Sequence, residues 1–540
     1  MQSQKIVKDS INALTKVADR EMPRILSQFC RDENSPFFGC ADRNWWHYKM
    51  RDFPSIILQQ AGATLYSAQR LKSFKDHKEE LLKLTRASCI FWNERAVKFR
   101  SFEEYYPWEE GYPPLAFSTL SVARLVSEGL ISVDRVTPGL KVAATQLLGR
   151  FEMQAANQQV AGLAALCWIN RIEPSYVSRE EIDALIDKTL NLQNDEGWFE
   201  EYGGPDLGYL SVTIDCLWDA YDALADIRLI NSAEKALFFL DHMVNNSNGK
   251  GIGMHNSRNT DYIVPYGITR FLDASINENS QQRALRVMQN IYIDSDSNSH
   301  FFSAIDDRYW CHYIGLSVVR SINNLKSMNL TSVNFEAIEN DFDNYLPSSG
   351  YVCNTLNDGQ FKILISMKKG GVFTIFSDSS SCSDFGWILN YEGKEYVSHW
   401  WSNQWNIKKE DTYIISGFLF THNEIHSNPF NHFLLRVMSF FIGRRLIIFL
   451  KNKFIFKKRI DKIGFTREIV ISKNFLEVID KFTKVPIGSR IIKASRASKR
   501  HVASANNFHI EDFTLGGHVV SEERNIVDDN TKITTKYSLQ

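Results

Sequence analysis

The chain has 540 residues, enough for two large domains or three small ones and for a sizeable core. Its 44% hydrophobic and 23% charged residues exclude a disordered polymer. The balance of 62 Lys+Arg against 63 Asp+Glu excludes a global field drawing it to nucleic acid or an anionic membrane, so a polyanionic ligand must be held by local charge.

The N-terminal stretch MQSQKIVKDSINALTKVADREMPRIL is polar and helix-periodic and lacks the apolar run of a signal peptide, which predicts a cytoplasmic protein. The eight cysteines are scattered, with no CxxC pair and no zinc-like Cys/His spacing, and read as reduced structural thiols.

A first dense cluster follows, FFGCADRNWWHYKMRDFPS from Phe37 to Ser55. Its rings and cations can line a groove for an acidic sugar, with Trp45 and Trp46 as stacking platforms, or can pin an N-terminal segment to the rest of the protein. Apolar spacing then stays mainly helical to about Leu325, and the Ala-rich segment Val142 to Ile169 is apolar on more than one face, as in a helix surrounded by others. Breaks such as YPWEEGYPP and QNDEGWFEEYGGPD predict long loops between these helices.

Within the second cluster, Gln193 to Tyr209, Gln and Gly-Trp can tie one helical hairpin to the next, while Tyr202, Asp206 and Tyr209 are candidates to face a ligand. The third cluster joins His255, Asn256, Arg258 and Tyr262 to Tyr309, His312 and Tyr313 in DDRYWCHYIG. If that segment opens a helix, i, i+3, i+4 spacing places Tyr309, His312 and Tyr313 on one face.

Beyond Asn344 the pattern shifts to short runs rich in Ile, Val, Phe and Thr, such as FKILISM, GVFTIFSD and TREIVIS, which predict a sheet domain. LPSSGY marks the boundary, giving a helical domain 1–345 and a β domain 346–540. The most apolar window, Leu434 to Leu450, is interrupted by Arg436, Arg444 and Arg445 and reads as paired strands rather than a membrane span. Lys451 to Arg459 reads as a solvated strand edge, with contact to an anionic membrane as the alternative. The polar tail from about Ser521 is expected to fray.

A phenol–imidazole–phenol face supports proton transfer, provided a cation or donor stabilises a phenolate. Beside an amide or imidazole donor such as Asn256 or His255, this suits β-elimination in a uronic-acid polysaccharide, where the carboxylate must be neutralised before its α-proton can leave. The residues fit satisfied polar groups at a helix junction equally well.

The GMHNSRNTDY and RYWCHY stretches, the Phe37–Ser55 cluster and SDFGWILNYEGKEYVSHW in the β domain together resemble the heparinase II/III family. That resemblance implies an incomplete α/α toroid followed by an antiparallel β-sandwich. It also implies a lyase with Asn256 or His255 as neutraliser, Tyr309 as catalytic tyrosine and His399 as a β-domain histidine completing the site. Arg258, Tyr262, His312, Tyr313, Trp45, Trp46, Tyr202 and Tyr209 would then contact an acidic polysaccharide or oligosaccharide. Relatives without a signal peptide link such a chain to surface-polysaccharide metabolism.

No cofactor is predicted, since no Walker or strand-linked GxGxxG segment appears; a structural divalent metal in the β domain stays open. Two other functions remain: hydrolysis by paired carboxylates among Asp195, Glu196, Glu200 and Glu201, and a non-catalytic glycan-binding or assembly factor in surface polysaccharide biosynthesis. A terpene cyclase is disfavoured by the lack of a DxDD run.

Overall fold

The computed structural model describes residues 2–41, 59–103, 108–247, 249, 252–260, 262–273, 275–293, 305, 307–328, 344–377, 381–410, 412–422, 428–452, 459–495, 519–527 and 529–539. Trp45 and Trp46 lie outside them.

The helices are α1 (Gln2–Leu26), α2 (Ala61–Ala68), α3 (Lys78–Phe99), α4 (Tyr112–Ser127), α5 (Thr137–Leu148), α6 (Ala156–Ile172), α7 (Arg179–Leu190), α8 (Leu207–Leu224), α9 (Ile227–Ser247), α10 (Tyr266–Arg270) and α11 (Glu278–Met288), followed by a helix at Gly315–Ser327. The even-numbered helices form an inner layer: α4 packs on α6, α6 on α8, α8 on α10, α10 on Gly315–Ser327, and that helix on α2. Sequence explains the layering. Every residue of α6 from Ala156 to Ile169 is buried, as its Ala-rich, all-round apolar character demands. The outer helix α7 buries only Ile182, Ile186 and Thr189, one stripe at helical spacing, and its start is fixed by a Ser178–Glu181 capping box.

The chain enters the β domain through β1 (Tyr345–Leu346), β2 (Tyr351–Leu356), β3 (Phe361–Ser366), β4 (Val372–Phe376) and β5 (Ser381–Asp384), a five-stranded antiparallel sheet in sequence order. A larger antiparallel sheet has the path β12 (Arg490–Lys493), β6 (Trp387–Tyr391), β7 (Lys394–Val397), β9 (Tyr413–His422), β10 (Arg459–Ile471), β11 (Phe475–Thr483), β14 (Asn530–Ser538) and β13 (Val519–Val527), with β8 (Asn406–Lys409) beside β9.

Strand alternation sets the layering here. Val352, Ile363, Ile365, Phe373 and Ile375 point into the core between the two sheets. Tyr351, Cys353, Leu364 and Phe376 point the other way, into the core shared with the helices. The small sheet is therefore buried on both faces, which fixes the β domain against one side of the helical body. Each such Ile or Phe contributes roughly 1.5–3 kcal/mol of burial.

The larger sheet also holds a buried charge network. Arg467 on β10 sits opposite Asp480 on β11 and forks onto it, with Nε to Oδ1 at 2.7 Å and an NH2 nitrogen to Oδ2 at 2.8 Å. Its other terminal nitrogen reaches Asp384 at 3.1 Å and the Gly371 carbonyl at 3.0 Å. Asp384 is also held by Lys493 and by the Tyr537 hydroxyl at 2.5 Å.

Two expectations are corrected. Leu434 to Leu450 does not form paired strands: Pro429–Ile442 and Arg444–Leu450 are helices. The signals are local, since Asn428 caps the first helix by accepting from the Asn431 amide at 2.8 Å, Pro429 opens it, and Gly443 at φ 56° ends it. Of the basic run after it, 453–458 lies outside the described residues. The tail from Ser521 does not fray, because β13 and β14 complete the large sheet and bury Ile533, Tyr537 and Leu539.

No helix among the described residues is long and apolar enough to cross a membrane. The eight cysteines are thiols, all buried except Cys30.

Candidate active site

Three pieces of the helical body meet where the β domain docks. The N-terminus of α8 is capped by Asp206, whose Oδ1 accepts from the Tyr209 amide at 3.1 Å. The same carboxylate binds the Thr260 hydroxyl and, at 3.2 Å, the Thr260 amide, so it anchors the 252–260 loop and is not offered to a ligand. Gly208 allows this close approach, because a side chain there would run into Thr260 and the Tyr262 carbonyl.

The third piece is a helical turn, Asp307–Tyr309, that widens into a π-helical turn at Trp310–Ile314 before Gly315–Ser327. Its base is tied to α1 by Arg24, whose Nε donates to Asp307 at 2.8 Å. Single π-turns inside helices are frequent at functional sites. Here the turn does gather the expected face: ring centroids lie 5.3 Å apart for Tyr309–His312, 5.9 Å for Tyr309–Tyr313 and 6.2 Å for His312–Tyr313.

Tyr262 and Tyr209 extend this cluster. The Tyr262 and Tyr313 hydroxyls are 2.7 Å apart, and the Tyr209 ring meets Tyr262 edge-on at 6.4 Å. Tyr209, Tyr309 and Tyr313 keep 8, 8 and 7% of their surface exposed, whereas Tyr262 keeps none. Tyr262 therefore positions Tyr313 from behind and does not itself touch a ligand in this state. Burial raises the phenols of Tyr209, Tyr262 and Tyr313 well above their usual value, which keeps them protonated and able to donate. Burial, reinforced by Arg308, holds the His312 imidazole well below its usual value and so neutral. Behind Tyr313 a cavity of about 10 Å³, room for one water, is lined by Asp215, Asp219 and Arg320.

At the edge of the cluster, the half-buried Arg258 lies with its guanidinium carbon 4.4 Å from the Tyr202 ring centroid and makes no ion pair with a carboxylate among the described residues. Its charge is near enough to Tyr209 to act against the effect of burial there. Tyr202 adopts φ 55°, and its hydroxyl accepts from Gln158 at 3.3 Å. Asn256 is fully buried: its amide donates to the Thr260 carbonyl at 3.0 Å, and its Oδ1 has no partner.

His255 is enclosed at the contact with the small sheet. It has no exposed surface, and its ring nitrogens lie 2.8 Å from Ser366 Oγ on β3 and 2.8 Å from Thr374 Oγ1 on β4. It fastens the loop to the small sheet. Burial, with a smaller push from Lys369, lowers this imidazole to about 3. An unfolded histidine titrates near 6.5, so the unfolded state takes up the proton first. Stability should therefore fall as pH drops from about 6.5 toward 3, by up to about 1.4 kcal/mol per pH unit from this residue. His255→Asn should flatten that slope, as urea midpoints at roughly pH 7 and pH 5 will show.

The β domain supplies further residues that sequence reasoning missed. Lys369, just after β3 and almost fully buried, donates from Nζ to the Met254 carbonyl at 2.7 Å, the Asn256 carbonyl at 2.6 Å and the Asn259 side chain. Trp401 donates to the Gly203 carbonyl at 2.9 Å, beside Tyr202. His399 lies in the same loop as Trp401 and is 98% buried (2% exposed), and that loop docks on the helical body through the indole. A lysine in KKGG gives no cue that it will cross to another domain. Lys369→Met leaves three acceptors unserved and should cost about 3 kcal/mol in urea denaturation, with faster proteolysis within 252–260.

Three of the four carboxylates considered for hydrolysis are held by hydrogen bonds of the fold. Glu196 accepts from the amides of Ser348 at 2.7 Å and Ser349 at 3.0 Å, and Glu201 from the Asn157 amide at 2.7 Å and side chain at 2.8 Å. Glu200 accepts from the Gly203 amide at 2.7 Å. Gln193 ties hairpins as its pattern suggests, donating to the carbonyls of Gly197 and Ser232, both at 2.9 Å. Among the described residues, no group of three His, Cys, Asp or Glu side chains is placed to hold a metal.

No protein-family model matches the chain. No curated protein matches it in sequence. In fold it is similar to the chondroitin AC lyase of Streptomyces coelicolor A3, solved with chondroitin sulphate, at 8% identity over 99% of this chain and 80% of that one, with a TM-score of 0.50. Heparinase III is similar at 11% identity over 97% of this chain and 82% of that one (TM-score 0.44). An unsaturated glucuronyl hydrolase specific for heparin is similar at 12% identity over 61% of this chain and 99% of that one (TM-score 0.38). At such identities the likeness speaks for the fold: a helical α/α toroid followed by antiparallel sheets.

Proposed function

We propose that this chain is a polysaccharide lyase that cleaves a uronate-containing glycan by β-elimination. The observation that carries the reading is Arg258, a cation with no carboxylate partner among the described residues, stacked on Tyr202 beside a cluster of protonated tyrosines. An acidic sugar supplies the missing anion, and Arg258 neutralises its carboxylate. Tyr309, entering as the phenolate after losing its proton to solvent, then takes the α-proton, and the C–H electron pair becomes a C=C bond as the glycosidic C–O bond breaks. The leaving oxygen receives a proton from a tyrosine hydroxyl, for which Tyr313, held by Tyr262, is suited. Neutral His312 packs against Tyr309 and adds no charge that would compete for the uronate. The fold of the similar chondroitin AC lyase agrees with a carbohydrate-active enzyme, and a role in surface-polysaccharide metabolism is part of this proposal.

The test is incubation of the purified protein with a panel of uronate polysaccharides, following the ultraviolet absorbance of the unsaturated product. Rising absorbance supports elimination. New reducing ends without absorbance would favour hydrolysis, and binding with neither would favour a non-catalytic glycan-binding or assembly factor.

A further inference from the structure

The helices Pro429–Ile442 and Arg444–Leu450 form a hairpin inserted between β9 and β10 that nothing in the proposed chemistry uses. Its apolar side chains point outward: Phe430, Phe433 and Phe441 are 70, 65 and 78% exposed, and Ile448 and Phe449 continue the surface on the second helix. At about 100° per residue, the apolar positions of the first helix sweep an arc of roughly 220° interrupted by Asn431, leaving a narrow polar side at His432, Arg436 and Ser439. A partner protein covers one stripe of a helix, whereas an arc this wide suits immersion in a fluid apolar medium.

Charge points to the same occupant. Between Asn428 and Ile460 the sequence carries Arg436, Arg444, Arg445, Lys451, Lys453 and the KKR run at 457–459, and no aspartate or glutamate. This local excess stands out in a chain whose formal net charge is −1. Arg444 and Arg445 are exposed at the turn of the hairpin, where they can reach lipid phosphates. The first helix has 14 residues, roughly 21 Å, short of the ~30 Å hydrocarbon core, so it would lie in the interface without spanning.

The hairpin is pinned to the helical body at two points. Phe440 meets Trp108 edge-on at 5.2 Å, and Lys451 pairs with Glu152 at 2.9 Å while lying 5.5 Å from the Tyr202 ring centroid. We infer that this hairpin is a monotopic anchor that sinks its phenylalanines into an anionic bilayer surface and holds the mouth of the candidate site against it. The inference stands apart from the reaction assigned to that site.

Flotation of the full chain with phosphatidylcholine vesicles, with and without phosphatidylglycerol, tests it. The wild type should float with the anionic vesicles and be released from neutral ones. Phe433→Ser/Phe441→Ser and Arg444→Glu/Arg445→Glu should each cut the bound fraction by about ten-fold or more, with unchanged circular dichroism. Failure of the wild type to float would overturn the anchor. So would undiminished flotation of the phenylalanine variant, which would leave only electrostatic adsorption. A lipid-free dimer by light scattering that dissociates in the phenylalanine variant would assign the surface to a second copy instead.

Discussion

Tyr309→Phe should slow the formation of unsaturated uronate ends by about 10²–10⁴-fold while leaving glycan affinity within roughly two-fold. The substitution removes one oxygen and keeps the ring that packs on His312 and Tyr313, so the cluster should hold its shape. The contrast is Arg258→Ala, which removes the charge offered to the uronate and should raise KM as well as lower kcat. Steady-state kinetics on the best substrate from the panel separates the two. A Tyr309→Phe enzyme with wild-type kcat would move the catalytic role to Tyr209 or Tyr313.

Arg467→Leu should destabilise the β domain by about 5 kcal/mol or more, enough to prevent its folding in many backgrounds. The leucine replaces much of the volume but leaves Asp384 and Asp480 buried without their shared guanidinium. Asp384→Asn/Asp480→Asn in the same background should recover part of the loss, because neutral amides tolerate burial better than lone carboxylates. Urea denaturation followed by tryptophan fluorescence reads both, with Trp387 a reporter through its 2.6 Å bond to Asp480.

The same network predicts a pH dependence. Burial alone would raise the Asp384 carboxyl, but Arg467 and Lys493 outweigh it and hold it below the usual range. A depressed folded pKa means the stabilisation is fully present above about pH 4, the unfolded value, and is lost as pH falls through the folded one. Acid unfolding of the β domain should therefore set in below about pH 4, overlapping only the acid end of the window in which His255 acts.

Helical periodicity and the switch to short Ile/Val/Phe runs made two parts of the fold legible in the sequence, because both depend on local spacing of apolar residues. The face shared by Tyr309, His312 and Tyr313 was also legible, since it lies within one helical turn; the π-turn adjusts that face without dispersing it. The apolar run at Pro429–Leu450 by itself suggests strands, but the Asn428 cap, Pro429 and the terminal Gly443 delimit helices.

His255 and Asn256 are neighbours in the chain, and spacing could not separate them. The fold sends His255 between Ser366 and Thr374 of the small sheet, while Asn256 keeps a buried oxygen without a partner. Lys369 and Trp401 reach the site loops from more than 100 residues away in sequence, across a domain contact that no local pattern records. Sequence by itself determined the two kinds of architecture and the aromatic, cationic character of the site, because these follow from side-chain chemistry and periodicity along the chain. Which of those side chains are consumed by structure and which are left unsatisfied was decided only by tertiary packing, since a hydrogen bond's partner is set by proximity in space.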